Sequence, residues 1–144
     1  MHRVAHDVDP DAIERARCDG VDCVDRHELF RASDFLVLCL PVLPDTRRIV
    51  NRETLALMKP GSFLVNVARG GLVDEEALVE ALTTGCIAAA ALDVFDVEPL
   101  AIEHPLRAFP QCVFGSHNAS NTTEGVLRTS ERAVENLFRG LGLV

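Results

Sequence analysis

The chain has 144 residues, 48% apolar and 25% charged, and its 14 Lys and Arg against 22 Asp and Glu give a net charge of −8. This composition is typical of one ordinary globular domain, whereas the negative charge and the absence of Trp and Tyr argue against nucleic-acid binding. No apolar stretch approaches the roughly 20 residues of a membrane span, and no signal peptide opens the sequence. We therefore expect a cytoplasmic protein with neither a nucleic-acid nor a membrane partner.

Short β-branched runs alternate with amphipathic segments, which is the pattern of a parallel sheet with crossover helices. The predicted strands are residues 3–7, 21–24, 35–40, 63–67, 88–94 and 112–116. The predicted helices are residues 10–18, 26–32, 52–57, 75–84 and 122–138. Residues 88–91 are all Ala and taken alone favour a helix, but their place in the alternation favours a central strand.

Local signals support these assignments. Asp9, Asn51 and Asp74 are suited to cap the helices that follow them, and Gly85 is suited to end the helix of residues 75–84. Residues 35–40 are apolar throughout, so we expect both faces of that strand to be covered. The five cysteines are spread widely and form no C-x-x-C pair; we expect buried, reduced thiols and no metal site.

Polar side chains follow several of the predicted strands at the point where each strand ends. In a parallel sheet the carboxyl ends of the strands form the edge where ligands bind, and Asp7, Arg69, Asp93 and His117 all lie there. Glu98 lies in the loop just after Asp93. A carboxylate beside an imidazole stabilises the imidazolium and makes a proton donor near neutral pH, whereas an Arg fork suits a carboxylate ligand.

Each of these residues also has an ordinary structural interpretation. An Arg after a strand is usually a surface cation, a loop His is usually solvated, and Glu-Pro is a common turn dipeptide. Asp93 fits equally well as a helix cap, and Asp7 fits as the start of a turn. The sequence does not choose between the two interpretations for any single residue, because it does not establish that the strand ends meet.

Four segments together resemble the NAD-binding domain of the D-isomer-specific 2-hydroxyacid dehydrogenases, the group that includes phosphoglycerate dehydrogenase. They are residues 58–78 (MKPGSFLVNVARGGLVDEEAL), 91–100 (ALDVFDVEPL), 40–47 (LPVLPDTR) and 115–122 (GSHNASNT). The resemblance covers nearly the whole chain. It implies an α/β fold of the Rossmann type, with a doubly wound parallel sheet, and NAD as the cofactor.

The resemblance also implies roles for individual residues. Arg69 is similar to the residue that binds the substrate carboxylate and polarises the adjacent carbonyl, and Glu98 with His117 is similar to the acid/base pair of this family. The remaining cofactor contacts that it implies, besides Arg69 and His117, are Asp7, Leu40, Pro41, Ala68, Asp93 and Ala119. Of these, Asp7 corresponds to the acid that holds the adenine ribose and disfavours a 2′-phosphate, which favours NAD over NADP.

The sequence departs from the family pattern at one essential point. It contains no G-x-G-x-x-G; its one G-x-G, Gly140 to Gly142, follows a predicted helix in the wrong context. The fingerprint normally lies about 20 residues before the ribose-binding acid, which here is Asp7. We therefore expect residues 1–144 to be a partial NAD-binding domain with its C-terminal helix, lacking the first strand, the glycine-rich loop and most of the substrate domain.

Two functions from different classes follow. The first is a fragment of an NAD-dependent 2-hydroxyacid dehydrogenase whose substrate is a small 2-hydroxy or 2-oxo acid. We expect the fragment to be inactive alone. It would work as a homo-oligomer or together with a chain that supplies the N-terminal portion. The second is a non-catalytic module that pairs with another chain through exposed strand edges, since the inner edges of residues 3–7 and 35–40 would lack a partner. The first is preferred.

Overall fold

A computed structural model describes residues 1–143 as an α/β fold. The strands are β1 (Val4–Ala5), β2 (Asp22–Cys23), β3 (Phe35–Leu38), β4 (Ser62–Asn66), β5 (Ile87–Leu92) and β6 (Val113–Phe114). The helices are α1 (Pro10–Cys18), α2 (Arg26–Ala32), α3 (Arg52–Leu55), α4 (Glu75–Thr84) and α5 (Thr123–Gly140). Two short 3-10 helices, Gly70–Leu72 and Pro105–Ala108, were not predicted from the sequence.

The strands are all parallel but form two separate sheets. One sheet has the order β1-β2 and the other the order β3-β4-β5-β6. Within residues 1–143, no ladder joins β1 to β3, so each of these strands has one unpaired edge. This confirms the predicted Rossmann-type sheet with a strand position left open between its two halves. The alanine run forms β5, the central partner of β4 and β6.

The helix starts follow the capping residues. Asp9, Asp25, Asn51, Asp74 and Thr122 each accept a backbone N–H at the first turn of their helix. Gly85 ends α4 in the left-handed conformation with φ 74°, which a glycine adopts without strain.

Two predicted helix ends are wrong. The helix predicted over residues 52–57 is α3 and ends at Leu55, because Leu57 and Met58 bond back to Thr54 and Leu55 in tighter turns. The last helix continues past the predicted end at Phe138 to Gly140. Most of the strands are shorter than predicted, since edge residues without a hydrogen-bonded neighbour do not count as strand.

The core lies on one face of the four-stranded sheet. Leu36, Leu64 and Leu92 lie on this face, and buried residues of α2, α3 and α4 join them in one hydrophobic cluster. The opposite face is open among the described residues: Phe35 is 62% exposed and Val37 51%. The prediction that both faces of this strand are covered is therefore wrong for residues 1–143.

Helix α5 stands apart from this core. It contains no buried residue, although Leu127, Leu137 and Phe138 are large apolar side chains. Among residues 1–143, no helix is both long and apolar enough to cross a bilayer.

Candidate active site

The loop after β4 is shaped by Asn66, which is 1% exposed. Its side-chain Nδ2 donates to the carbonyl of Arg69 at 2.9 Å, and its Oδ1 accepts the amide of Ala68 at 3.1 Å. Both bonds fold the chain back at the carboxyl end of the strand. Sequence reasoning did not single out Asn66; the polar residue at an otherwise apolar strand end was the available signal.

An open cleft of about 590 Å³ lies between the ends of β3 and β4. The residues that line it are Cys39, Leu40, Pro41, Val42, Val67, Ala68 and Arg69. The Arg69 guanidinium is exposed and donates from Nη1 to the carbonyl of Ala68 at 2.6 Å. Three of the residues assigned from the sequence to the cofactor, Leu40, Pro41 and Ala68, thus share one cleft with Arg69.

Glu98 and His117 are in direct contact. His117 Nδ1 lies 2.9 Å from Glu98 Oε2, and Glu98 Oε1 accepts the amide of Phe95 at 3.0 Å. The Phe95 amide and then the His117 side chain hold the pKa of the Glu98 carboxyl below its ordinary value. Glu98 is therefore a carboxylate at neutral pH, and His117 Nε2 makes no hydrogen bond within residues 1–143.

Asp93 holds the loop that carries His117. Its Oδ2 accepts the amide of Ala119 at 2.7 Å, and its carbonyl accepts the amide of His117, also at 2.7 Å. Backbone amides of Ala119 and Asn118 lower the pKa of the Asp93 carboxyl. His117 has φ 59°, a left-handed conformation that is uncommon for a non-glycine residue and that here turns its side chain back toward Glu98.

The Arg69 loop touches the Glu98 loop at Gly70. A Cβ added to Gly70 would lie 1.9 Å from the carbonyl carbon and oxygen of Phe95, three residues before Glu98. The absence of a side chain at position 70 thus brings the two backbones together. Arg69, Glu98, Asp93 and His117 therefore belong to adjoining loops at one edge of the four-stranded sheet.

Asp7 lies on the other sheet. It follows β1, and its Oδ1 accepts the amides of Val8 and Asp9 at 2.7 and 2.9 Å, a local turn. No hydrogen bond in the described part of the chain joins Asp7 to the Glu98 and His117 pair. All five cysteines are free thiols in this structure, but none is buried: Cys18 and Cys39 are exposed and the other three are half-buried. The prediction of buried thiols is therefore wrong.

The sequence model of one protein family, described as "D-isomer specific 2-hydroxyacid dehydrogenase, NAD binding domain", matches residues 1–119. The chain belongs to this family. NAD is accordingly the cofactor of the domain, and the resemblance of its motifs and its Rossmann-type fold agree with that membership.

Individual members of the D-isomer specific 2-hydroxyacid dehydrogenases are similar over most of the chain. A glyoxylate reductase from Aeropyrum pernix is 48% identical over 118 residues, which are 82% of this chain and 35% of the relative. A D-3-phosphoglycerate dehydrogenase from Synechocystis sp. is 41% identical over 127 residues, 87% of this chain and 23% of the relative. Each of these two curated relatives is thus more than twice as long as the part that this chain matches.

The crystal structure of apo D-mandelate dehydrogenase from Rhodotorula graminis has the same fold. Its TM-score is 0.83 at 31% sequence identity, with 96% of this chain and 40% of that chain covered. The superposition includes nearly all of the described residues, so the gap between β1 and β3 occurs within a backbone that otherwise follows a dehydrogenase domain.

Proposed function

We propose that this chain is the nucleotide-binding and acid/base portion of an NAD-dependent 2-hydroxyacid dehydrogenase. The observation that carries the proposal is the 2.9 Å contact between His117 Nδ1 and Glu98 Oε2. Glu98 fixes the His117 ring through Nδ1, which leaves Nε2 without a partner in residues 1–143 and available as the proton donor. During reduction His117 protonates the oxygen of a 2-oxo acid, and during oxidation it takes the proton from the hydroxyl group.

Arg69 binds the carboxylate of the substrate in this proposal. Its fork is exposed and makes one bond, to the Ala68 carbonyl, which a bidentate carboxylate contact can replace. The bound nicotinamide cofactor supplies or accepts the hydride at C2. Arg69 and His117 hold the carboxylate and the oxygen of the same substrate, and this fixes its orientation.

The residues present fit part of the cofactor. The cleft lined by Leu40, Pro41 and Ala68 is open and largely apolar, as a nucleoside site requires. We assign Asp93 and Ala119 to the nicotinamide side and Asp7 to the adenine ribose, where its carboxylate favours NAD over NADP. The pyrophosphate needs backbone amides at a glycine-rich turn, and the printed sequence contains no G-x-G-x-x-G.

The proposal is tested by joining this chain to an upstream segment that contains a G-x-G-x-x-G strand and a substrate domain, in one polypeptide or as a second chain. Loss of NADH absorbance is followed with glyoxylate, hydroxypyruvate and other 2-oxo acids. His117→Ala should lower turnover by about 10² to 10⁴ while NADH affinity stays similar, and exposed His27→Ala should leave turnover unchanged. Undiminished turnover by His117→Ala would contradict the acid/base assignment.

A second function is favoured by the unpaired edges of β1 and β3. Unpaired strand edges offer backbone groups to another chain, so this chain can act as a non-catalytic module that pairs with a partner or with its own copy. Sedimentation velocity on the isolated chain tests this alternative. A concentration-dependent dimer that persists in Leu137→Glu, a variant of the exposed apolar face of α5, supports it. A stable monomer that unfolds in one cooperative step rules it out.

A further inference from the structure

Glu98 depends on the amide of Phe95, and the next amide of the same loop is held from outside the loop. Glu75, the first residue of α4, accepts the amide of Asp96 through Oε1 at 2.9 Å. Its side chain is 16% exposed. Two consecutive backbone amides, those of Phe95 and Asp96, are thus bound by two different carboxylates, one inside the site and one behind it.

The second oxygen of Glu75 is held by His104. His104 Nε2 lies 3.2 Å from Glu75 Oε2, and His104 Nδ1 accepts the amide of Leu106 at 3.3 Å. Since Nδ1 accepts a hydrogen bond, the ring proton is on Nε2, which donates to Glu75. His104 therefore caps the 3-10 helix Pro105–Ala108 and fixes the Glu75 side chain at the same time.

The 3-10 helix is itself tied to the far end of the loop. Arg107 donates to the carbonyls of Leu100 and Ala101, both at 2.8 Å. Leu106 is fully buried. His104 thus stands on a rigid base, and the orientation of Glu75 follows from packed structure rather than from an exposed ion pair.

We propose that Glu75, held by His104, is a positioning residue that fixes the Phe95 to Glu98 loop so that Glu98 meets His117. Glu75 touches neither substrate nor cofactor and acts through the backbone of Phe95 and Asp96. This role rests on the proposed function, because the Glu98 and His117 pair transfers a proton only there. The geometry of the pair, however, is measurable in the chain without substrate.

The test is a carbon-13 NMR titration of Glu98 in the intact 144-residue chain and in three variants. In Glu75→Ala the loop loses its anchor and the Phe95 amide leaves Glu98, so the pKa of Glu98 should rise toward its ordinary value of 4.5. Glu75→Gln keeps one acceptor oxygen and cannot accept from both Asp96 and His104, so its rise should be smaller. His104→Asn retains a capping oxygen for Leu106 but does not reach Glu75, and it should also give a smaller rise.

The sign of the change separates positioning from charge. Removal of a nearby carboxylate lowers the pKa of another carboxyl group, so a rise at Glu98 cannot come from the lost charge of Glu75. Glu76→Ala is the matched control, since Glu76 is exposed on the same helical turn, and it should leave Glu98 unchanged. The pKa of Asp93 should stay constant in every variant, because amides of another loop lower it.

Amide spectra verify that each variant is folded. The proposal is overturned if Glu98 titrates as in the unaltered chain in every folded variant, or if Asp93 moves with it. If Glu75→Ala fails to fold, the pKa of Glu98 in the isosteric Glu75→Gln and in His104→Asn tests the proposal. Absence of dehydrogenase activity in the joined enzyme would contradict the proposed function and leave these titrations unaffected.

Discussion

Gly70 is the residue at which the two loops of the candidate site press together. Gly70→Ala places a Cβ 1.9 Å from the Phe95 carbonyl group, so one of the two backbones must move. We expect urea denaturation to show a loss of about 1 to 3 kcal/mol in the free energy of unfolding.

Gly71→Ala is the matched control for this substitution. Its Cβ would lie 3.6 Å or more from the nearest atoms, which belong to Asp96 and Val42, and this is an ordinary van der Waals distance. The free energy of unfolding should change by less than about 0.5 kcal/mol. Equal losses for the two variants would contradict the close contact between the loops.

The carboxyl groups of Asp93 and Glu98 predict a pH dependence of stability. Both pKa values are lower in the folded chain than their ordinary values of 3.8 and 4.5. Such groups stabilise the fold above the ordinary values, and this stabilisation is lost as the pH falls through the lowered values. Unfolding of Glu98→Gln by urea between about pH 5 and pH 2 should therefore depend less steeply on pH than unfolding of the unaltered chain.

Glu103→Gln serves as the control for Glu98→Gln. Glu103 is exposed and makes no hydrogen bond within residues 1–143. The stability of Glu103→Gln should depend on pH as steeply as that of the unaltered chain. If Glu98→Gln and the unaltered chain gave superimposable curves, the interactions of Glu98 with Phe95 and His117 would not stabilise the fold.

Some residues of the candidate site can be predicted from the sequence and others cannot. Arg69, Glu98 and His117 are exposed polar residues at predicted strand ends and in motifs, so the sequence singles them out. Asn66 and Glu75 instead bind backbone amides and carbonyls of neighbouring loops. No sequence pattern predicts such contacts, because they depend on the position of the backbone of another segment.

At the scale of elements, α5 carries an apolar face with nothing packed on it. Val134, Leu137, Phe138 and Leu141 are 43% to 61% exposed and share one side of the helix. Covering such a face removes apolar surface from water, so we expect it to take part in self-association. Leu137→Glu should weaken the dimer at least about tenfold in sedimentation equilibrium, equivalent to about 1.4 kcal/mol.

Asn136→Glu is the control on the opposite face of α5. It adds the same charge at an exposed position one residue away, so association through the apolar face should be unchanged. Equal weakening by both variants would indicate a general charge effect, and no weakening by Leu137→Glu would place the association elsewhere, on the open edges of β1 and β3.

Element types were predictable because each has a local signal. Caps such as Asp9 and Asn51 and the β-branched runs predict helices and strands correctly, and even the alanine run of β5 follows from the alternation. The end of α3 and the two 3-10 helices depend on backbone hydrogen bonds to nearby turns. The open face of β3 was not predicted. An apolar strand indicates that both faces should be buried, but burial requires another segment to pack on each face.

At the scale of the whole molecule, the paired motifs predict the family and the absence of a G-x-G-x-x-G predicts the open strand position, and both are confirmed. We expect the chain to bind NADH weakly, because its sequence lacks the glycine-rich turn that would hold the pyrophosphate. Isothermal titration of the 144-residue chain should give a dissociation constant weaker than about 10 μM, or under about 7 kcal/mol of binding free energy. Low-micromolar binding would show that another segment holds the pyrophosphate.

The division of the sheet into two parts predicts local unfolding of its smaller part, which contains β1 and β2. Among residues 1–143, every buried apolar residue lies between Phe30 and Leu106, so the unit of β1, α1 and β2 adds no side chain to the hydrophobic core of this part of the chain. Such a unit opens at a lower free energy than the rest of the chain. Amide protons of Ala5 and Val24 should exchange with deuterated water while those of Leu64 and Ala90 remain, and a protease should cut before Phe30 first. Residues 1–24 would then form a local unfolding unit, which unfolds and refolds many times while the rest of the chain stays folded.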